Sequence, residues 1–155
     1  MRVRIEQVGE TQTEEVVVYC RKITAEVEAI VQRIGQLEKN RNLPSFFKGD
    51  EQYYLALSEI LFFETDAERV FAHTANDSFE TKSRLYELEA SLPGNFIRVS
   101  RSTIVNILQI YSIQRGLTRV NLISFRKSHK AIYSSRMFNN ALIKKMEERA
   151  IYENF

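Results

Sequence analysis

Between residues 52 and 133 the apolar side chains cluster in short segments of four to six residues, mixed with polar ones and separated by polar or turn-forming stretches. Runs this short do not build ordinary helices, but they suit an antiparallel sheet of short strands. They predict strands over 52–57, 60–64, 69–73, 79–82, 96–99, 110–114, 119–123 and 129–133. Two segments have helical spacing instead. In 83–91, Leu85 and Leu88 share a side with Leu92, and Pro93-Gly94 stops the helix. From 136 to about 150, Phe138, Leu142 and Met146 form one stripe. The expected class is α+β, mainly β, closed by a C-terminal helix.

Ahead of this region lies a leader of different pattern. Val3 and Ile5 alternate with Arg2, Arg4 and Glu6, which reads as a half-buried strand. Residues 16–20, β-branched and apolar, read as a second strand, with Cys20 a buried thiol. Val27, Ile30, Val31, Ile34 and Leu37 then recur at helical spacing, with Thr24 as N-cap, and the helix should end near Asn40. Residues 39–51, punctuated by Pro44 and Gly49, read as a linker. The expected division is a β-β-α leader, 1–45, and a main domain, 46–155. Three roles are open to the leader: packing on the main domain, pairing two subunits, or binding a partner.

The formal net charge of +2 conceals a strong asymmetry. Residues 1–89 sum to −6. Residues 90–146 contain no Asp or Glu and ten Arg or Lys, and so sum to +10. Concentrating one sign builds a field that attracts polyanions, with nucleic acid the first candidate. A single cysteine excludes an intrachain disulfide and fits a reducing compartment. The N-terminus has no apolar signal core, and no apolar run reaches the ~18 residues of a membrane span. A cytoplasmic location is expected.

Catalytic and cofactor chemistry find little support. The two histidines, His73 and His129, stand in separate strand-like segments, away from any cluster with metal-ligand spacing. Five glycines form no phosphate-cradling loop, and no nucleophile elbow is present. No enzyme activity, cofactor or metal is expected. A hydrolase using Ser100 or Ser102 would need a base brought near by folding. Peripheral binding to anionic lipid would want an exposed aromatic amphipathic helix.

The informative segment is FIRVSRSTIVN, residues 96–106. In a strand, Phe96 and Arg98 share one face, and Ile97 and Val99 the other. Ser100-Arg101-Ser102 follows, a set of hydroxyls and a guanidinium suited to phosphate oxygens or to guanine O6 and N7. A second such corner, Ser134-Ser135-Arg136, ends a strand and opens the last helix, where either serine suits the N-cap. Arg101 and Arg136 are the expected base-edge contacts. Ser100, Ser102, Ser135, Lys127 and Lys130 are the expected phosphate contacts.

FIRVSRSTIVN resembles the central signature of the LytTR DNA-binding domain: an aromatic and Arg, then Ser/His-Arg-Ser and Ile/Leu-Val-Asn. SEILFFET upstream is similar to the family's entry strand, and VNLISFRKSHKAIYSSRMFNNAL downstream to its terminal strand pair, Ser-Arg and closing helix. The likeness runs from about residue 52 to 145. It implies a mainly β domain that reads double-stranded DNA with inter-strand loops. Carried over, its contacts fall on Glu68 and Arg69, on Ser100, Arg101 and Ser102, and on Ser135 and Arg136, with Arg98 part of the signature. Glu68 departs from the polar or basic residue common there; a carboxylate accepts from cytosine N4 but repels phosphate. The resemblance further implies a stand-alone transcriptional regulator without a receiver domain, binding repeated half-sites as a homodimer. A small inhibitory membrane protein often accompanies such regulators. The alternative expectation is a non-enzymatic basic adaptor for RNA or an acidic protein.

Overall fold

The computed structural model describes residues 2–13, 15–40 and 43–153. The chain divides into two compact units, Met1–Leu37 and Glu38–Phe155.

The first unit has one regular element, the beginning of helix α1 (Ala25–Asn40). Thr24 starts it, its Oγ1 accepting from the Val27 N–H at 3.4 Å. Val27, Ile30 and Ile34 are half-buried, while Val31 and Leu37 on the same expected stripe are exposed. The two leader strands expected from the sequence are not formed among the described residues. Val3, Ile5, Val16 and Tyr19 are exposed, and so is Cys20. Apolar alternation stabilises a strand only when a ladder partner and a covering layer are both present. This unit contains no buried residue among those described, so neither condition is met.

The second unit is built on a seven-stranded antiparallel sheet. Its strands are β1 (Phe46–Lys48), β2 (Glu51–Tyr53), β3 (Phe62–Asp66), β4 (Arg69–His73), β5 (Ser78–Thr81), β6 (Phe96–Ser100) and β7 (Thr103–Asn106). They lie in the order β2-β1-β5-β4-β3-β7-β6. A second sheet holds β8 (Ile110–Gln114), β9 (Asn121–Phe125) and β10 (Ala131–Ser134), with β9 in the centre. The helices are α2 (Leu85–Ser91), α3 (Asn139–Glu147) and α4 (Arg149–Glu153), and a short 3-10 turn, Arg136–Phe138, leads into α3. No helix among the described residues is long and apolar enough to cross a membrane.

Successive strand residues point to opposite faces, and the central strands bury both. Phe63 and Ile104 face a core with Leu85 and Leu88 of α2. Their neighbours Phe62 and Val105 face a second core with Ile123 and Phe125 of the small sheet and Leu142 of α3. The large sheet is thus the middle layer, which explains why residues 60–63 and 103–106 are buried without a break rather than alternately. Two sequence expectations change here. Residues 46–48, read as linker, form β1, because Phe46 is needed in the first core. The FIRVSRSTIVN segment is two strands joined by a tight turn.

Asn106, at the end of β7, links these layers. It is 1% exposed. Its Nδ2 donates to the Ile60 carbonyl at 3.0 Å. Its Oδ1 accepts from Asn95 Nδ2 at 2.9 Å and from the Leu108 N–H at 3.1 Å.

Candidate nucleic-acid interface

The antiparallel registers bring three of the expected contact corners to one end of the fold. β3 pairs with β4 out to Asp66 opposite Arg69, leaving Ala67 and Glu68 as a two-residue turn. Both have positive φ, 45° and 67°. This turn type usually takes Asn or Gly, so two side-chain-bearing residues here store strain of about 1–2 kcal/mol each. β6 pairs with β7 so that Ser100 lies opposite Thr103, leaving Arg101 and Ser102 at the tip of the next turn. Two backbone hydrogen bonds set the spacing of these corners. The Thr65 N–H donates to the Ser102 carbonyl at 2.8 Å, and the Ser135 N–H donates to the Val99 carbonyl at 2.8 Å. The β3–β4 turn, the β6–β7 turn and the Ser135-Arg136 corner are therefore neighbours.

The Arg101 side chain is exposed and has no hydrogen-bond or carboxylate partner among the described residues. Beside it, Ser100 Oγ lies 3.3 Å from Ser102 Oγ and accepts from the Ser102 N–H at 3.2 Å. Arg136 is exposed; its Nη2 donates to the Thr118 carbonyl at 3.3 Å, which leans it toward the β8–β9 loop. Neither serine of its corner caps a helix with its side chain. Ser134 is buried and donates from Oγ to Asn139 Oδ1 at 2.6 Å, while Ser135 precedes the 3-10 turn without a side-chain cap bond. Glu68 and Arg69 are exposed, and Arg69 makes one long ion pair, 3.9 Å, to Glu80.

Arg98 is turned inward. It shares the Phe96 face, as the strand alternation predicts, and only 20% of its side chain is exposed. Its Nε donates to the Ser100 carbonyl at 2.8 Å and its Nη2 to the Arg101 carbonyl at 2.7 Å. Its Nη1 meets Glu89 of α2 at 3.2 Å. A register shift between Arg98 and Ser100 gives the strand the extra bend that this fork fills.

Lys127 and Lys130 are not with the other corners. They belong to the β9–β10 loop, and β10 runs from that loop toward Ser135, so its full length separates the two ends. Lys127 is exposed with φ 55°. Lys130 is half-buried, with Nζ donating to the Asp77 carbonyl and lying 3.3 Å from His73 Nδ1. Ser128 Oγ donates to the Ala75 carbonyl at 2.8 Å, so this loop fastens the small sheet to the large one.

His73 is the centre of that fastening. Its ring stacks on Phe62 at 4.3 Å, and Nε2 lies 3.2 Å from Glu64 Oε2. Burial, helped by the charge of Lys130, lowers the His73 pKa to about 4. The neutral ring therefore accepts from Lys130 at Nδ1 and donates to Glu64 at Nε2. Burial also draws the Lys130 pKa down, and burial with repulsion from Asp66 pushes Glu64 up. Because the folded state resists charging His73, the unfolded chain binds more protons below pH ~6.5. The His73 contribution is complete above that pH and is lost as pH falls toward 4. Discounted for partial exposure, it amounts to about 2 kcal/mol. Glu64 titrates nearby with the opposite sign, so the effect is read as a difference. His73→Gln is expected to flatten the fall in unfolding free energy between pH 6.5 and 4; an unchanged urea-unfolding profile counts against this assignment.

A mainly β domain that gathers the exposed Arg69, Arg101 and Arg136 corners at one end is the class this geometry defines. The family model for the LytTr DNA-binding domain matches residues 50–147. Two Staphylococcus aureus proteins, from strains MRSA252 and NCTC 8325, are each 33% identical over 135 residues, covering 85% of this chain and 86% of theirs. Both are named uncharacterized HTH-type transcriptional regulators. That length exceeds what residues 50–155 supply, so the likeness continues ahead of Asp50. Among solved structures, a LytTr DNA-binding domain from Bacillus cereus matches with a TM-score of 0.61 at 22% identity, over 66% of this chain and 94% of that one. The chain belongs to the LytTR DNA-binding domain family.

Proposed function

We propose that this protein is a sequence-specific transcriptional regulator that binds double-stranded DNA through the three neighbouring corners. The observation that carries the reading is the pair of backbone bonds, Thr65 to Ser102 and Ser135 to Val99, which gather the corners at one end. Arg101 and Arg136 are the base-edge contacts, because both guanidiniums are exposed and arginine reads guanine bidentately. Ser100, Ser102 and Ser135 contact phosphate and fix register. Glu68 sits on the strained tip of the first corner and Arg69 opens β4 beside it; Glu68 favours cytosine N4 and Arg69 a phosphate. The protein acts without catalysis, in the cytoplasm, as a homodimer on repeated half-sites. A small membrane protein that restrains it remains the partner proposed from the family's habits.

Arg98 serves this function by holding the Arg101 turn rather than by touching DNA. Arg98→Ala is expected to weaken binding to the preferred duplex about fivefold, the ~1 kcal/mol worth of one net hydrogen bond in the turn it holds. The salt dependence of binding should stay at the wild-type value, since no phosphate contact is removed. Glu89→Ala should weaken binding in the same sense. If Glu89→Ala instead strengthens binding, Arg98 is a direct contact.

Selection of bound duplexes from a random pool tests the reading as a whole. Competition then compares the selected duplex, its scrambled form and a structured RNA. Preference for the selected duplex over the other two is the expected result. Equal competition by RNA favours the adaptor function instead.

A further inference from the structure

The β8–β9 loop, residues 115–120, is a fourth element at this end of the fold. β9 runs antiparallel to both its neighbours, and its first residue, Asn121, pairs with Ser134 beside the Ser135-Arg136 corner. The loop approaches α3 closely and is held in place at several points. A Cβ on Gly116 would stand 2.2 Å from the Val120 carbonyl oxygen, so only glycine fits there. The Arg119 N–H donates to the Gly116 carbonyl at 3.2 Å, and Arg119 has φ 63°. Asn139 Nδ2 donates to the Arg119 carbonyl, and Arg136 Nη2 to that of Thr118.

This bracing frames an open groove of about 500 Å³ between the loop and α3. Arg115, Arg119, Arg136 and Lys144 line it, with Asn140 and a single carboxylate, Glu147. None of the four cations makes an ion pair among the described residues, and all are exposed. Like charges repel one another, so this grouping destabilises the free protein and is relieved by an anion. A flexible loop would let the cations spread apart; the Gly116 turn and the Asn139 bond hold the loop that carries two of them.

We propose that this groove seats a phosphate of the DNA backbone beside the position read by Arg136. Arg115, Arg119 and Lys144 would then contribute affinity and register rather than sequence choice. The inference rests on the DNA-binding reading above and adds contacts to it that the family signature does not include. The same oxyanion chemistry is shared by free inorganic phosphate, so the test separates the two.

The experiment measures binding of the full chain to the selected duplex and to its scrambled form at several salt concentrations. The triple variant Arg115→Gln, Arg119→Asn, Lys144→Gln is compared with wild type; Asn suits the positive φ at 119. These positions are exposed, and circular dichroism checks that the fold is kept. The slope of log K against log salt is expected to become shallower by about 0.9, the share of one lost phosphate contact. The preference for selected over scrambled duplex should be unchanged. Lys127→Gln, at the far end of β10, should leave the slope unaltered. An unchanged slope in the triple variant overturns the proposal, as does inorganic phosphate shifting the groove's amide resonances while the slope stays at its wild-type value. A wild-type chain without preference for the selected duplex defeats the broader reading instead. Its non-specific slope still decides whether the groove holds phosphate.

Discussion

Arg101→Ala should lower affinity for the selected duplex by roughly 5- to 150-fold, the ~1–3 kcal/mol carried by one bidentate base contact. The loss should fall on one base position. A titration series across the site would show discrimination there collapsing while other positions keep theirs. The expectation follows from where the side chain stands. Its backbone is held from below by the Arg98 fork, and its guanidinium has no internal partner to surrender. Removing it therefore exposes no buried group, and thermal stability should be unchanged. Arg136→Ala should relax a different position, with a smaller loss per bond because its Nη2 already leans on the Thr118 carbonyl. A uniform weakening across all duplexes in the Arg101 variant would show that it contacts only phosphate.

Asn106→Leu is expected to destabilise the fold by about 3 kcal/mol, lowering Tm by roughly 10 °C. Leucine has the same branched skeleton and a larger volume, so the cost is not a cavity. It arises because the Ile60 carbonyl, the Leu108 N–H and the Asn95 amide all lose their partner in a site that is 1% exposed. Asn106→Asp should fall between the wild type and Leu, since a carboxylate accepts from Leu108 but has nothing to donate to Ile60. Calorimetry on the three chains checks the order. A Leu variant as stable as wild type would mean that water or a neighbouring group takes over these bonds.

Much of the fold was legible in the sequence because its strands are short and its helices carry one apolar stripe. The spans 69–73 and 110–114 coincide with β4 and β8, bounded as they are by polar residues. Boundaries shifted where both faces of a strand are buried. In 60–64, Ile60 and Leu61 are as apolar as Phe62 and Phe63, and periodicity cannot say where the ladder begins. β1 was hidden because Phe46 and Phe47 follow a proline in a polar stretch. The leader failed in the opposite sense: its alternation is real, but no ladder forms from it among the described residues.

The candidate site divides the same way. Ser-Arg corners inside an acid-free stretch are visible as a string of residues. The inward fork of Arg98 is not, because a strand arginine looks the same whether it reaches solvent or a carbonyl. Lys127 and Lys130 share the charge pattern of the corners yet lie at the other end of β10, and Lys130 is spent on His73 and Asp77.

What the sequence by itself determined is the chemistry offered: which residues carry charge, where strands can run, and that in one stretch every Arg, Lys, Asp or Glu is a basic one. Only the tertiary structure decided which of those charges stand together. Antiparallel register sends alternate loops to opposite ends of a sheet, so residues close in sequence part company while the corners that carry Arg69, Arg101 and Arg136 become neighbours.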